Sequence, residues 1–279
     1  MSNAQVTSAD GTTIGYLTLG HGPGLVISHG GMGSSHNHLE QARALADAFT
    51  VHLPDRRGHG MSGPWREDDH LLQDVQDLDA VLAATGATNL FGLSTGGLIA
   101  LQAALTLPAV RKLAVYEPGL STAPTGWVPR FERELAQGRT SAALTTAMLG
   151  AQMGPSFFSY VPRRLLELLT DRVMRKEDRD GAGGYIPLRD LAPTLRHDAR
   201  LLIETHDLLD DFRGLRTEVL LLGGSKSPAF QRAALDALER VLPRSRRTEL
   251  AGLGHAGPWN ADKGGDPERV AAELRGFFT

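Results

Sequence analysis

The spacing of apolar positions changes along the chain in a regular order. The first twenty residues alternate weakly and predict a hairpin: a strand at Gln5 to Ser8, an Asp10-Gly11 turn, then Thr12 to Leu19. Gly24 to Ser28 is a continuous apolar run, the pattern of a strand covered on both faces. A helix is expected around His36 to Phe49 and a strand at Thr50 to Leu53. From His70 to Thr85 the residues Leu71, Val75, Leu78 and Leu82 recur at helical spacing and form one stripe. A short strand (Asn89 to Phe91), an apolar helix (Leu98 to Leu107) and a strand at Leu113 to Tyr116 follow. Strands that alternate with helices imply right-handed crossovers and a largely parallel sheet.

Beyond Pro118 this alternation stops. Residues from about Leu120 to Phe212 show helical segments and turns but no buried-strand pattern. It then resumes with a strand at Val219 to Leu222 and a helix from Phe230 to Leu242. A short strand is expected before Leu253. The last helix starts at Asp266-Pro267, a capping residue with proline in the first helical position, and carries Val270, Leu274, Phe277 and Phe278 on its core stripe. The chain thus reads as one α/β core, residues 1–119 and 213–279, with a helical insertion at 120–212.

Composition narrows the function classes. A formal net charge of −3 with both signs interspersed gives no footprint for nucleic acid or an anionic membrane. There are no cysteines, so disulfides, thiolate metal sites and a cysteine nucleophile are excluded. Met1 to Asp10 is polar, without the apolar core of a secretory signal, and no apolar run reaches membrane-spanning length. A cytoplasmic protein is the expectation. The glycines include no phosphate-binding G-x-x-x-x-G-K-[ST], no metal-ligand cluster is evident, and no cofactor is expected.

The candidate chemistry starts at Gly92-Leu93-Ser94-Thr95-Gly96, a G-x-S-x-G between a short strand and a helix. At such a junction the turn is tight enough that small residues must flank the serine, whose hydroxyl is pushed out above the sheet. Alone the pattern is weak in a chain with 32 glycines; its strand-before, helix-after context strengthens it. Three further patterns stand in order around it: Ser28-His29-Gly30-Gly31-Met32-Gly33, the segment Asp55 to Ser62, and Leu253-Gly254-His255.

Together these motifs resemble the α/β-hydrolase family, specifically its capped esterase-like members, over nearly the whole chain apart from the insertion. The resemblance implies an eight-stranded, mostly parallel sheet flanked by helices, its first hairpin antiparallel, with a helical cap over the active site. It implies Ser94 as nucleophile and His255 as the base that takes and returns the proton; the competing reading is an ordinary histidine in a glycine-rich loop. The oxyanion hole is expected from the backbone of Thr95 and of Gly31, with Met32 as the neighbouring choice. His29 is expected to order its loop by hydrogen bonding, and Asp55 to Ser62 to be a structural turn.

The third triad member departs from the commoner family pattern. An acid is usual a few residues beyond the seventh strand, yet Gly223 to Pro228 holds none, and Asp236 and Glu239 lie well inside a helix. Some family members place the acid after the sixth strand, where this chain has Glu117. Pro118 is expected to hold Glu117 extended. A carboxylate closing a buried strand at its carboxyl end fits an orienting acid for the histidine, the alternative being a rim carboxylate paired with an arginine.

In the insertion, Trp127, Phe131, Met148, Met153, Phe157, Phe158 and Tyr160 are mostly expected as cap core, with a subset lining the pocket roof. Gly181 to Gly184 reads as a flexible turn. The expected function is a cofactor-independent serine hydrolase acting on an apolar ester or lactone. Carbon–carbon bond hydrolysis and thioester cleavage suit the same residues. Relatives that open epoxides or remove halogens carry aspartate at the elbow, which disfavours those activities. From another class, a non-hydrolytic, ligand-binding relative would keep the fold without turnover.

Overall fold

A computed structural model describes residues 1–120, 124–153, 156–205 and 207–279. Eight strands form one sheet: β1 (Ser2–Thr7), β2 (Thr13–Gly20), β3 (Gly24–Ser28), β4 (Thr50–Pro54), β5 (Asn89–Leu93), β6 (Lys112–Tyr116), β7 (Glu218–Gly224) and β8 (Ser245–Leu250), in the order β1-β2-β4-β3-β5-β6-β7-β8. The first hairpin and the β2–β4 pair are antiparallel, and every later pair is parallel. Six helices come before or within the first part of the insertion: α1 (Leu39–Leu45), α2 (Leu71–Thr85), α3 (Thr95–Thr106), α4 (Val128–Ala136), α5 (Thr140–Gly150) and α6 (Arg163–Asp180). Four more follow: α7 (Leu188–Leu191), α8 (Leu195–Glu204), α9 (Ala229–Val241) and α10 (Pro267–Phe278).

The two-residue period of the central strands explains why the core has two layers. In β6, Leu113 and Val115 pack on one face against α2, α3 and α9, through Leu78, Leu98 and Leu238 among others. The intervening Ala114 and Tyr116 face the opposite layer, where Leu45 of α1 and Leu274 and Phe277 of α10 cover them. Both faces of β6 are therefore dry, as its unbroken apolar sequence requires. Burying each such leucine or phenylalanine contributes roughly 1.5–3 kcal/mol.

Several boundaries differ from the sequence expectation, two of them for a reason visible in the backbone hydrogen bonds. The helix expected from His36 to Phe49 is a 3-10 turn at Ser35–His38 followed by α1, which ends at Leu45. The chain tightens at Ala46 to Phe49 because Ala48 and Phe49 both donate to Leu45 O, closing the helix before β4. β1 starts earlier than Gln5, at Ser2, because the ladder to β2 continues to Thr18 and needs no apolar side chains on an exposed edge.

Between β6 and β7 the described residues form helices and turns and no strand. Phe131 of α4 and Ala143 and Ala147 of α5 make one small core there. Met174 of α6 and Leu144 make a second with Ala192. The insertion is tied to the core by a buried polar contact: the Arg56 guanidinium, beyond β4, donates from Nη1 to Asp198 Oδ1 of α8 at 2.8 Å. Its Nη2 lies 3.5 Å from Asp74 of α2, whose other oxygen meets His197 Nε2 at 2.5 Å. All four side chains are buried. Among the described residues no helix is long and apolar enough to cross a membrane.

Candidate active site

Ser94 sits between β5 and α3 with φ +52°, a left-handed conformation that non-glycine residues rarely adopt. The residues two positions away on either side, Gly92 and Gly96, must be glycine. A Cβ on Gly92 would lie 2.4 Å from Gly96 O, and one on Gly96 would lie 2.4 Å from both Ser28 O and His29 O. The strained turn is pinned to the adjacent strand end: Ser94 N–H donates to Tyr116 O (3.0 Å) and Gly119 N–H donates to Ser94 O (2.9 Å). Strain of this kind persists only when surrounding contacts over-determine it.

Glu117 follows β6 immediately and is 1% exposed. Its φ is +44°, so the expectation that Pro118 holds it extended is wrong. Three contacts override the local preference. Glu117 N–H donates to Leu222 O (3.0 Å), its Oε1 accepts from Gly224 N–H (2.7 Å), and its Oε2 lies 2.7 Å from His255 Nδ1. No arginine meets this carboxylate among the described contacts; its partners are a backbone amide and the imidazole. The histidine loop is held from the same strand, because Tyr116 Oη donates to Gly254 O (2.8 Å). Burial, and then the Glu117 charge, push the Tyr116 phenol well above its ordinary pKa, so it stays a donor.

The loop after β3 carries Gly31 and Met32, the latter also at positive φ (+55°). His29 anchors this loop: Arg56 N–H donates to its Nε2 (3.0 Å), while its Nδ1 lies 2.8 Å from Gly30 O. Burial, helped by the nearby His59 and Arg56, drives the His29 pKa well below its usual value and keeps the ring neutral. The segment from Asp55 to Ser62 is a hydrogen-bonded turn. Asp55 accepts from Ser35 N–H (2.7 Å) and Met61 N–H (2.9 Å), and Ser62 Oγ donates to Asp55 O.

Ser94, Thr95, Glu117, Gly31, Met32 and His255 line one cavity of about 350 Å³, whose other walls are mostly apolar. Thr95 opens α3, so its N–H belongs to the helix end that lacks intrahelical acceptors. Trp127, Met148 and Met153 reach the cavity from the insertion. Phe131, Phe157 and Phe158 do not line it. Phe131 is fully buried against Ala143 and Ala147, and Phe157 is 59% exposed and stacks edge-on with Phe158. Tyr160 is 88% exposed. An aromatic count could not separate pocket wall from cap core or surface.

Several lining residues escaped the sequence reading: Asp198, Leu195 and Leu202 of α8, Gln231 of α9 and Trp259. Asp198 and Gln231 carried no local signal, since only the tertiary fold brings α8 and α9 to the serine. No lysine or arginine lines the cavity among the described residues. No group of three or more histidine or acidic residues among them is arranged to hold a metal ion.

A serine on a strained strand-to-helix turn of a mostly parallel eight-stranded sheet, facing a histidine loop and an acid, defines an α/β hydrolase. The family model for the alpha/beta hydrolase fold matches residues 23–262, and the chain belongs to that family. It is 31% identical over 261 residues to a pimeloyl-[acyl-carrier protein] methyl ester esterase of Stenotrophomonas maltophilia, covering 92% of this chain and 93% of the relative. The enzyme of the same name from Xanthomonas axonopodis pv. citri is 28% identical over 239 residues, covering 85% and 90%. Among solved structures, an alpha/beta hydrolase from Sphaerobacter thermophilus superposes with a TM-score of 0.79 at 27% identity, over 99% of this chain and all of that one. The protein is a carboxylic ester hydrolase.

Proposed function

We propose that the protein is a serine hydrolase that cleaves an uncharged, apolar acyl ester through an acyl-enzyme. The observation that carries this reading is the 2.7 Å contact between Glu117 Oε2 and His255 Nδ1, beside a cavity that Ser94 also lines. Ser94 Oγ attacks the ester carbonyl while His255 Nε2 takes its proton. Glu117 holds the proton on Nδ1 and stabilises the imidazolium that forms. The N–H groups of Thr95 and of Gly31, or Met32 beside it, stabilise the oxyanion, helped by the positive end of α3. His255 then protonates the departing alkoxide, and water activated by the same ring releases the acid.

Residues 120–212 act as the cap in this reading, with Trp127, Met148 and Met153 setting the shape of the acyl site. A cavity without cationic walls favours an uncharged acyl chain over one ending in a free carboxylate. The named relatives make methyl esters of carrier-linked acyl chains the first compounds to test, followed by lactones and thioesters. A fluorophosphonate probe should label Ser94 alone, and Ser94→Ala should abolish both labelling and turnover. Labelling elsewhere, or none in folded protein, would favour a ligand-binding role without hydrolysis.

A further inference from the structure

We propose that Gln231 is a positioning residue for His255, and that the first turn of α9 is a second station from which the imidazole Nδ1 is held. The proposal rests on the Ser94–His255–Glu117 reading above. His255 Nδ1 has two polar neighbours at the same distance, Glu117 Oε2 and the Gln231 side-chain amide, each at 2.7 Å. Gln231 is 5% exposed, lines the cavity, and sits one turn into a helix whose next turns are locked in the core by Ala234, Leu235 and Leu238. The amide atom placed against Nδ1 is Nε2, and the Oε1 so placed is buried without a hydrogen-bond partner among the described residues.

The chemistry of one ring nitrogen decides how the amide stands. Opposite a carboxylate, Nδ1 carries a hydrogen and donates it. An amide NH₂ aimed at that hydrogen would set donor against donor, whereas the amide oxygen accepts it. The two amide orientations differ by a half-turn and are distinguished by their hydrogen-bond networks alone. The chemistry thus calls for the amide to be exchanged end for end from that placement, with its oxygen on Nδ1, so that the Nδ1–H is shared between Glu117 and Gln231. Two acceptors on different elements, the end of β6 and the start of α9, fix the ring's rotation as well as its tautomer. Both are also satisfied by the imidazolium that forms during turnover.

A second consequence follows from shape. Glutamine and glutamate are isosteric, so Gln231→Glu places a carboxylate on Nδ1 from the β7 side, where Ser225 to Pro228 supply no acid. The charge that supports the histidine can then be moved from one strand end to the other.

The test is steady-state ester hydrolysis across pH for the wild type, Ser94→Ala, Gln231→Ala, Gln231→Glu, Glu117→Gln and the double variant Glu117→Gln/Gln231→Glu, with thermal melts as a check on folding. Gln231→Ala should lower kcat roughly ten-fold with little change in KM, and should shift the acidic limb of kcat/KM to lower pH. Gln231→Glu should shift that limb upward by about one pH unit. The double variant should recover at least roughly ten-fold over Glu117→Gln alone. A Gln231→Ala enzyme with wild-type kcat and pH profile overturns the proposal, as does a folded double variant no better than Glu117→Gln. Full turnover in Ser94→Ala would instead overturn the serine reading itself, which keeps the two failures distinct.

Discussion

Glu117 and His255 meet at 2.7 Å although 138 residues of chain separate them. The contact exists because β6 and β7 are neighbours and the histidine loop returns beyond β8 to the same end of the sheet. In the proposed triad a buried carboxylate in this place keeps the Nδ1 proton where proton transfer at Nε2 needs it. Glu117→Gln keeps the shape and removes the charge, and should lower kcat by roughly 10³–10⁴-fold with a modest change in KM. Asp236→Asn and Glu239→Gln should leave kinetics unchanged, because both acids are on the exposed face of α9 beside Arg247. Full activity in Glu117→Gln would remove Glu117 from the triad.

The insertion separates two kinds of apolar residue, and substitutions should tell them apart. Trp127→Ala or Met148→Ala should alter discrimination between short and long acyl esters by roughly 1–3 kcal/mol. Phe131→Ala should cost roughly 3–5 kcal/mol of stability and change substrate preference less than Trp127→Ala does, since the ring is fully buried outside the cavity and reaches it only through its edge-on contact with Trp127. Phe157→Ala should do neither. A change of acyl preference in Phe157→Ala, measured on the purified enzyme, would contradict this division.

Arg56 and Asp198 form a buried ion pair across the junction of core and insertion. Removing Asp198 leaves the buried Arg56 guanidinium with only Asp74, at 3.5 Å, to compensate it, so Asp198→Ala should destabilise the protein by roughly 1–3 kcal/mol in urea unfolding. Asp198→Asn keeps a hydrogen-bond acceptor and should cost less. An Asp198→Ala protein as stable as the wild type would show that the pair does not hold the insertion in place.

Acid stability should report the buried histidines. Burial depresses the folded pKa of His38 to about 4, against 6.5 for the ordinary ring. Between these values the unfolded chain binds more protons than the folded one, so stability is complete above about pH 6.5 and falls as pH drops toward 4. The full effect of His38 is on the order of 3 kcal/mol. His29 and His59 are shifted in the same direction, also chiefly by burial, and steepen the fall. Melting temperatures from pH 7.5 downward should decline through this window, and His38→Asn should flatten the slope. A wild-type melting temperature constant to pH 4.5 would refute the assignment.

Much of this arrangement was legible in the chain because its causes are local. The strands of the core announce themselves as apolar runs, and the elbow as a serine between obligatory glycines. Glu117 stood out because a charge rarely closes a buried strand. Its backbone conformation did not, since three tertiary hydrogen bonds override the preference that Pro118 imposes. Gln231 and Asp198 are invisible at the level of spacing: each is one polar residue on an amphipathic helix, and only the packing of that helix turns it toward the serine. Phe131, Phe157 and Trp127 look alike in sequence, yet one fills the insertion's own core, one meets solvent and one walls the cavity.

The absence of lysine and arginine from the described cavity walls bears on the end of the catalytic cycle as well as its start. Hydrolysis converts a neutral ester into an anion in the place where it is made. That anion would face Glu117 and Asp198, with no lysine or arginine among the described walls to hold it. In the reading proposed above only the oxyanion-hole N–H groups and the His255 ring would hold it, so walls suited to a neutral ester would retain the acid less well. On that reading cleavage itself would favour emptying the cavity, and the free acid should be a poor inhibitor of its own formation.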